Sequence, residues 1–405
     1  MTTVKPSGPI PPEFAQQLPV EAWIERAGGT PLFVYDLAIV AARIGRLRAA
    51  LPAGVDLHYA IKANPLPDLL AAAAPLVDGF DIASVGELGR ALGVMAPDRI
   101  SFAGPGKRDE ELDAAIRAGV TLNLESEGEA ARALAIADRL AIRPRLAVRV
   151  NPDFELRGSG MRMGGRASPF GIDAARVPAL VKQLIAAGAD WRGFHIFAGS
   201  QSLDTAAIAE TQAQTLGLAA RLAEAIGAGP PLVNLGGGFG IPYFAGDTPV
   251  DVEAIGQALG EQLDRCDAAL AGSRFAIELG RWLVGEAGVY LTRVIDRKES
   301  GGETFLIVDG GLNHHLAASG NFGTVVRRNY PVAVASRMDA PVDEVATIVG
   351  PLCTPLDRLA DKVALPTAQV GDVIAIFASG AYGPTASPSA FLGHAPAREL
   401  LINAD

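Results

Sequence analysis

The chain has 405 residues, of which 49% are hydrophobic and 20% charged, so it can bury a large core and is not disordered. Its formal net charge of -10 argues against a nucleic-acid-binding protein. It contains no apolar run of the roughly 20 residues that a membrane helix needs. The opening residues, MTTVKPSGPIPPEF, show no apolar signal core, and Cys266 and Cys353 give no disulfide framework. We therefore expect a cytoplasmic protein without membrane or nucleic-acid partners.

An early apolar run, TPLFVY at residues 30–35, predicts a first strand. Between about residues 56 and 281, short apolar runs then alternate with Ala/Leu-rich amphipathic stretches. The strands are predicted at 56–62, 79–84, 99–103, 121–125, 145–151, 193–197, 232–235 and 274–278. The helices are predicted at 67–74, 85–92, 109–118, 126–140, 174–187, 206–225 and 250–269.

Seven helices between eight strands predict a (β/α)8 barrel, and an open doubly wound sheet is the alternative. The barrel is favoured because eight units fit its length of about 250 residues. It is also favoured because polar residues of chemical interest follow many strands, whereas a doubly wound sheet concentrates its glycine fingerprint after the first strand.

Beyond residue 285 the helical periodicity fades and short β-rich runs follow one another. They are predicted at 288–295, 304–308, 331–335, 344–349, 373–377 and 400–402, separated by turn residues. We therefore predict a barrel domain over residues 36–282 and an all-β domain over 283–405 that also takes strand 30–35. His314 and His315, in the second domain, are expected at the surface or rim. The five histidines show no metal-ligand spacing, so no metal is expected.

Polar residues follow the ends of several predicted barrel strands, the edge where the working residues of such barrels gather. Lys62 ends the first barrel strand, and a lysine there is costly to bury without a partner or a function. Its amine is also the group that forms a Schiff base with an aldehyde cofactor. The other residues on this edge are Arg149, Asn151, His195, Ser200, Gly236–Gly238, Glu278, Gly280 and Arg281.

Each of these residues also has a structural interpretation when it is taken alone. Lys62 can extend to solvent, and His195 can be a hydrogen-bonded core histidine. Glycines after a strand often only permit a tight turn, although Gly236–Gly238 also offer backbone N–H groups to a phosphate near Arg281. Glu278 and Arg281 can form a structural ion pair. The convergence of all of them on one edge is what favours a binding site.

Eight motifs follow one another from about residue 31 to the end of the chain. They are YAIKAN, FDIASVGEL, RVNP, FHIFAGSQ, NLGGGFG, ELGR, GPLCTPLD and GAYG. In this set and order the chain resembles the fold-type III pyridoxal phosphate decarboxylases, the ornithine, diaminopimelate and arginine decarboxylase group. The resemblance implies an alanine-racemase-like barrel with a β domain and pyridoxal 5'-phosphate (PLP) as cofactor. It also implies a homodimer with active sites shared at the subunit interface.

The resemblance assigns roles to individual residues. Lys62 holds the cofactor as a Schiff base, His195 stacks on the pyridine ring, and Glu278 pairs with the ring nitrogen. Alanine racemases carry an arginine at that nitrogen, so Glu278 favours a decarboxylase; its charge keeps the nitrogen protonated and deepens the electron sink. Cys353 of the partner subunit reprotonates the carbanion. The phosphate is surrounded by Ser200, Gly237, Gly238, Gly280, Arg281 and Tyr382, while Asp81 and Arg149 lie around the ring and help to set Lys62 and Glu278.

The residue after the loop cysteine reads the distal end of the substrate in this family. Ornithine decarboxylases carry Asp there and diaminopimelate decarboxylases carry Glu, whereas this chain carries Thr354, which cannot make a charge-assisted contact with an ammonium group. The stretch DGGLNHHLAASGNFG, residues 309–323, also lacks the arginine that marks diaminopimelate decarboxylases. Asp357 and Arg281 are the other predicted substrate contacts.

FHIFAGSQ and GPLCTPLD look closest to the butirosin-type and exosortase-associated subgroup of the family. We therefore predict decarboxylation of an L-α-amino acid, or of its acyl or carrier-protein conjugate, whose distal end is not a free amine. An ordinary diaminopimelate decarboxylase with displaced specificity residues is the alternative. A regulatory homologue without cofactor is disfavoured because the cofactor residues are retained.

Overall fold

The computed structural model describes residues 4–403 apart from 159, 163, 165–166 and 321–326. The described residues fall into two compact units. One lies within Arg43–Gly240 and Val250–Gly280, and the other within Met1–Ala42, Ile241–Pro249 and Arg281–Asp405. The domain limits predicted above, 36–282 and 283–405, stay a prediction.

The strands, in chain order, are β1 (Leu32–Asp36), β2 (Val55–Ala60), β3 (Gly79–Ile82), β4 (Ile100–Phe102), β5 (Thr121–Leu124), β6 (Arg145–Asn151), β7 (Met161–Arg162), β8 (Ile172–Asp173), β9 (Asp190–Ile196), β10 (Gly199–Ser200), β11 (Leu232–Gly237), β12 (Arg274–Leu279), β13 (Gly288–Ser300), β14 (Glu303–Val308), β15 (Val332–Val334), β16 (Glu344–Val349), β17 (Arg358–Leu365), β18 (Val373–Ile376) and β19 (Arg398–Ile402). The helices are α1 (Val20–Ala27), α2 (Leu37–Ala50), α3 (Pro67–Ala73), α4 (Val85–Leu92), α5 (Asp109–Ala118), α6 (Glu127–Leu140), α7 (Val177–Ala186), α8 (Thr205–Ile226), α9 (Val252–Asp264) and α10 (Arg281–Val284). Along the described chain, no helix is long and apolar enough to cross a membrane.

The first unit is a closed barrel of eight parallel strands. Its strands follow one another around the ring in the order β2, β3, β4, β5, β6, β9, β11 and β12, and β12 pairs again with β2. Helices α3 to α9 lie between consecutive barrel strands in the chain. The predicted (β/α)8 barrel is therefore confirmed, and the pairing of the last strand with the first rules out the open sheet.

Short-range sequence signals explain where the barrel helices begin. The hydroxyl of Ser84 accepts the backbone N–H of Glu87 at 3.2 Å, and the hydroxyl of Ser126 accepts that of Glu129 at 3.0 Å. Such N-caps satisfy donors that the first helical turn leaves without a partner. Because caps of this kind are local, most predicted helix limits lie within three residues of the observed ones. The exception is α9, which ends at Asp264, five residues before the predicted limit.

The second unit is built around a mostly antiparallel sheet with strand order β15-β18-β13-β14-β16-β17, so the predicted all-β fold is confirmed. β1 pairs with both β13 and β19 in this unit. Among the elements of the described chain, α1, α2, α10, β17 and the two-residue strands β7, β8 and β10 were not predicted. In β17 the charged Asp361 and Lys362 interrupt the apolar pattern, and in α2 the apolar residues occupy more than one face.

The expectation that His314 and His315 lie at the surface or rim is wrong, because both side chains are buried. His315 Nε2 lies 2.8 Å from the hydroxyl of Ser379, and its ring packs 5.5 Å from that of Phe33, centre to centre. Burial lowers the pKa of His315 to about 3, so the imidazole is neutral at physiological pH. The second unit thus keeps a hydrogen-bonded histidine in its core.

Candidate active site

The predicted barrel residues lie in or just after the carboxyl-terminal halves of their strands. Asp81 lies in β3, Arg149 in β6, His195 in β9 and Glu278 in β12. Arg149 and His195 are register partners on neighbouring strands, which brings residues 46 positions apart side by side. This is the edge where β/α barrels assemble their sites.

Lys62 is placed differently from the prediction. β2 ends at Ala60, and Lys62 lies in the following 3-10 turn, Ile61–Ala63, with its side chain exposed. The predicted extension of the strand to residue 62 is therefore wrong, and Lys62 carries no cost of burial. The chain leaves the strand early because the turn is held by Tyr59, whose hydroxyl donates to the carbonyl of Asn64 at 2.8 Å. An exposed amine at this edge is open to an aldehyde.

His195 and Glu278 form a buried pair at the centre of the cluster. His195 Nε2 lies 2.7 Å from Glu278 Oε2. Burial alone would raise the pKa of Glu278, but the hydrogen bond and charge of His195, with the charges of Lys62 and Arg149, lower it to about 2. The carboxylate is therefore ionised at neutral pH. Sequence reasoning assigned separate ring contacts to these two residues, and the structure adds their direct contact.

A second buried ion pair supports this cluster. Arg149 Nη1 donates to Glu125 Oε1 at 2.9 Å, and the two side chains are 8% and 1% exposed. Burial would raise the pKa of Glu125, but the charges of Arg149 and Lys107 lower it, so Glu125 stays anionic. Sequence reasoning missed Glu125, although an acidic residue directly after a buried strand is a recognisable signal. The pair holds the guanidinium of Arg149 in place.

The surroundings of Lys62 contain an aromatic ring and a carboxylate. Lys62 Nζ lies 5.8 Å from the centre of the Phe197 ring, and that ring lies nearly parallel to His195 at 6.5 Å. Glu87 Oε2 accepts the backbone N–H of Ala83 at 2.7 Å; burial raises the pKa of Glu87, and the charge of Lys62 opposes that rise. Sequence reasoning missed Glu87, although S-x-x-E is a capping-box signal.

The glycines after β11 are required by close backbone contacts. A Cβ on Gly237 would collide with the carbonyl oxygen of Glu278 on the neighbouring strand. Gly238 has a φ of +84°, and a Cβ there would lie 2.5 Å from the carbonyl oxygen of Gly199. Only glycine allows the strand ends to approach this closely. Backbone N–H groups without side chains also suit a phosphate.

Two further predicted phosphate contacts lie in the barrel unit. Ser200 is half-buried in β10, which pairs with β7. Gly280 directly follows β12, and a Cβ there would lie 2.8 Å from that of Ala63, beside the Lys62 turn. Gly280 therefore brings the end of β12 against the lysine turn.

In the second unit, Arg281 is surrounded by tyrosines. Its guanidinium lies 4.6 Å from the centre of the Tyr382 ring and 5.5 Å from that of Tyr243. Arg281 Nη1 donates to the Tyr243 hydroxyl at 2.8 Å. Tyr243 also packs on Tyr330, with ring centres 4.6 Å apart. Sequence reasoning missed both Tyr243 and Tyr330, because neither belongs to a recognisable motif. The aromatic rings fix the direction of the guanidinium.

The loop that carries Cys353 is held by Asp357. The thiol residue is exposed and Thr354 is half-buried, but Asp357 is only 2% exposed. Its carboxylate accepts the backbone N–H groups of Leu312 at 2.6 Å and Leu352 at 2.9 Å. The sequence predicts a substrate contact for Asp357. These hydrogen bonds instead favour a structural role in which Asp357 holds the loop in place. Cys353 and Thr354 are presented by a loop with a fixed base.

The barrel cluster contains polar atoms that the protein leaves without partners. Oδ1 of Asp81 and Nδ1 of His195 are buried and make no hydrogen bond to the described residues. Buried polar groups are normally paired, so these atoms point to a polar molecule that completes the site. An exposed lysine amine, an ionised carboxylate and a glycine turn suit the aldehyde, ring nitrogen and phosphate of PLP. The residues present therefore fit this cofactor.

Comparisons with known proteins agree with this chemistry. Residues 37–285 match the family model described as "Pyridoxal-dependent decarboxylase, pyridoxal binding domain". The chain is 35% identical to the L-glutamyl-[BtrI acyl-carrier protein] decarboxylase of Niallia circulans, over 92% of this chain and 88% of that protein. It is 33% identical to a diaminopimelate decarboxylase of Archaeoglobus fulgidus, over 94% and 90% of the two chains.

A solved structure gives the same relation. The diaminopimelate decarboxylase of Helicobacter pylori, complexed with L-lysine, superposes with a TM-score of 0.82 at 26% identity. The match covers 95% of this chain and 94% of that one. Our chain is thus a member of the pyridoxal-dependent decarboxylase family, an enzyme that decarboxylates amino-acid substrates with PLP.

Proposed function

We propose that this decarboxylase acts on an L-α-amino acid whose distal end carries no free ammonium group, such as an acyl or carrier-protein conjugate. Thr354 carries the proposal. It is half-buried beside the exposed Cys353, and its hydroxyl oxygen accepts the backbone N–H of Leu356 at 3.3 Å. A neutral hydroxyl supplies no charge-assisted hydrogen bond to an ammonium group. The Niallia circulans relative, by its name, acts on an L-glutamyl group of a carrier protein, which supports this substrate class.

We assign Lys62 as the residue that holds the cofactor covalently, because its amine is exposed at the site edge of the barrel. When bound, PLP supplies a sink for the electron pair that stays on the substrate α-carbon as carbon dioxide departs. Glu278 is anionic at neutral pH, since its pKa is about 2, and can hold a proton on the basic ring nitrogen. His195 fixes the direction of that carboxylate through its 2.7 Å contact.

The remaining assignments rest on the family resemblance. Ser200, Gly237 and Gly238 offer a hydroxyl and backbone donors to the phosphate, and the roles of Gly280, Arg281 and Tyr382 stay predictions. Cys353 donates a proton to the substrate α-carbon, and its exposure is compatible with that access. The decarboxylation balances, because the carboxylate leaves as carbon dioxide and the thiol proton takes its place on the carbon.

We also propose a cytoplasmic homodimer in which Cys353 serves the active site of the partner subunit. The two free thiols, Cys266 and Cys353, support the cytoplasmic part of the proposal, and the family resemblance implies the dimer with shared sites. Mixing inactive Lys62→Ala and Cys353→Ala proteins tests the sharing. Half of the exchanged dimers are mixed and each contains one intact site, so about a quarter of wild-type activity should return. No recovery after proven subunit exchange would contradict shared sites.

The substrate class is tested by measuring carbon dioxide release from the PLP-loaded enzyme. We expect turnover of an L-glutamyl thioester of a carrier protein or of its pantetheine arm, and no turnover of free ornithine, lysine or arginine, whose distal ends are cationic. Lys62→Ala is the inactive control. Rapid turnover of free meso-diaminopimelate would overturn the proposal and establish the alternative, diaminopimelate decarboxylase, which the Archaeoglobus fulgidus relative favours.

The role of Thr354 is tested by a matched pair of variants. Thr354→Glu adds an anion where the distal ammonium of diaminopimelate would bind, and Thr354→Ser keeps the neutral hydroxyl. We expect Thr354→Glu to raise kcat/KM for diaminopimelate at least tenfold relative to the conjugate, equivalent to about 1.4 kcal/mol, and Thr354→Ser to leave the ratio unchanged. An unchanged ratio of kcat/KM values in Thr354→Glu would show that residue 354 does not recognise the distal end of the substrate.

A further inference from the structure

The opposite end of the barrel contains a polar cavity that the decarboxylation chemistry does not use. It has a volume of about 180 Å³ and lies at the amino-terminal ends of the strands. Barrel interiors are usually filled by Val, Ile and Leu side chains. Here the lining includes the polar residues His58, Ser101, Asn123 and Asn234. The cavity has room for several water molecules, each of which takes about 30 Å³ of liquid volume.

The cavity reaches from solvent into the barrel interior. Arg99 and Arg274, in its outer lining, are exposed, whereas His58, in its inner lining, is only 8% exposed. The imidazole lies against Gly79 on the neighbouring strand, where a Cβ would come within 3.0 Å of Nε2. Gly79 therefore provides the space for this ring. His58 is the buried end of a cavity that opens to solvent.

His58 joins this cavity to the cluster on the other side. Its Nδ1 lies 3.4 Å from Asp81 Oδ2, and the two side chains are 10% and 6% exposed. In the barrel register His58 pairs with Glu278 on one side and Gly79 on the other. His58 thus stands directly between the cavity and two buried carboxylates.

The charges around this pair favour a shared proton. His58 faces Asp81 on β3, Asp56 on its own strand and Glu278 on β12; burial would lower its pKa, but these anions raise it. Asp81 faces His58, Glu278 and His195, and burial together with the charge of Glu278 raises its pKa. A proton held between His58 and Asp81 offsets the repulsion between Asp81 and Glu278.

We propose that His58 is a positioning residue that passes protons between water in this cavity and Asp81, and so sets the net charge beside Glu278. The proton leaves Nδ1 for the near oxygen of Asp81, and the other ring nitrogen takes one from water. This inference rests on the proposed role of Glu278 toward the cofactor ring. Loss of the shared proton at high pH adds negative charge beside Glu278, which the absorbance of the bound cofactor reports.

The first test follows the absorbance spectrum of the bound cofactor against pH in three proteins. Wild type should show a transition with a midpoint above 6.5, the ordinary pKa of histidine. His58→Asn keeps a donor near Asp81 but cannot titrate, so the transition should vanish or shift by at least about one pH unit. Thr121→Val, which changes the same cavity lining two strands from Asp81, should titrate as wild type. An identical transition in His58→Asn overturns the proposal.

The second test needs neither cofactor nor substrate, so it separates this inference from the proposed function. The five histidine rings of the cofactor-free protein are titrated by NMR in wild type and in Asp81→Asn. One ring, assigned to His58 by its loss in His58→Asn, should titrate at lower pH when Asp81 is neutral. An unchanged midpoint overturns the proposal even if His58→Asn fails to bind PLP. If NMR shows that His58 and Asp81 titrate together but the cofactor absorbance does not change with pH, the link to Glu278 is overturned.

Discussion

Replacement of Glu278 by glutamine tests whether the buried imidazole–carboxylate pair contributes to stability. The pKa of Glu278 in the folded protein is about 2, against an ordinary value of 4.5. A shift of this size corresponds to about 3 kcal/mol of stability at neutral pH. This is an upper limit, because a neutral glutamine also relieves the repulsion of Asp81. For a unit of this size we expect the thermal midpoint to fall by up to roughly 6–12 °C.

The dependence on pH has a defined sign. Because the folded-state pKa of Glu278 is lowered, its contribution is fully present above the unfolded value of 4.5. The contribution decreases as the pH falls below 4.5 and is lost as the pH passes through about 2. The difference in midpoint between wild type and Glu278→Gln should therefore be constant from pH 6 to 8 and should shrink at acidic pH.

The chain offers a matched control in the same unit. Two hydrogen bonds from Arg46 lower the pKa of Glu253 to about 2 as well, but the two side chains are 52% and 56% exposed. Solvent screens such a pair, so Glu253→Gln should cost less than about 1 kcal/mol. Both variants are melted without cofactor, by calorimetry or circular dichroism. Equal and small decreases of the thermal midpoint in the two variants would show that burial does not strengthen the contact between His195 and Glu278.

Three further substitutions test single contacts by thermal unfolding. Gly237→Ala should destabilise the barrel and weaken PLP uptake, because its Cβ meets the Glu278 carbonyl; normal uptake would show that the strand ends can move apart. Asp357→Asn should cost about 1–3 kcal/mol, since an amide cannot accept both backbone N–H groups with equal strength; a neutral effect would mean that the loop is held elsewhere. Lys107→Met leaves Glu129 buried without its 2.6 Å partner and should cost about 3–5 kcal/mol; a change below about 1 kcal/mol would mean that Glu129 takes up a proton instead.

The barrel could be predicted from the chain because its signals are local. Alternation of apolar strands with amphipathic helices fixes the fold class, and caps such as Ser84 and Ser126 mark the helix starts. Carboxyl ends of parallel strands share one edge, so the order of strands alone groups Lys62, His195 and Glu278. The motif set then indicates the cofactor chemistry without any knowledge of distances.

The partners of the site residues are decided only by the tertiary structure. His195 and Glu278 are 83 residues apart, and Arg149 and Glu125 are 24 apart. No local rule relates such positions, because strand register and side-chain direction result from packing of the whole barrel. The same holds for His58, which lines the polar cavity and lies 3.4 Å from Asp81 on the neighbouring strand.

Exposure is likewise a property of the assembled fold. Lys62 is exposed because β2 ends two residues before it, and Asp357 is buried because two backbone N–H groups converge on its carboxylate. The predicted strand 56–62 implied a buried Lys62, and the charge of Asp357 implied an exposed side chain, so the structure reverses both expectations. A charged side chain is buried when the fold supplies its hydrogen-bond partners, and those partners come from distant parts of the chain. Composition and motifs therefore determine the fold and the chemistry of this decarboxylase, while the packed barrel decides which charges face each other and at what pKa.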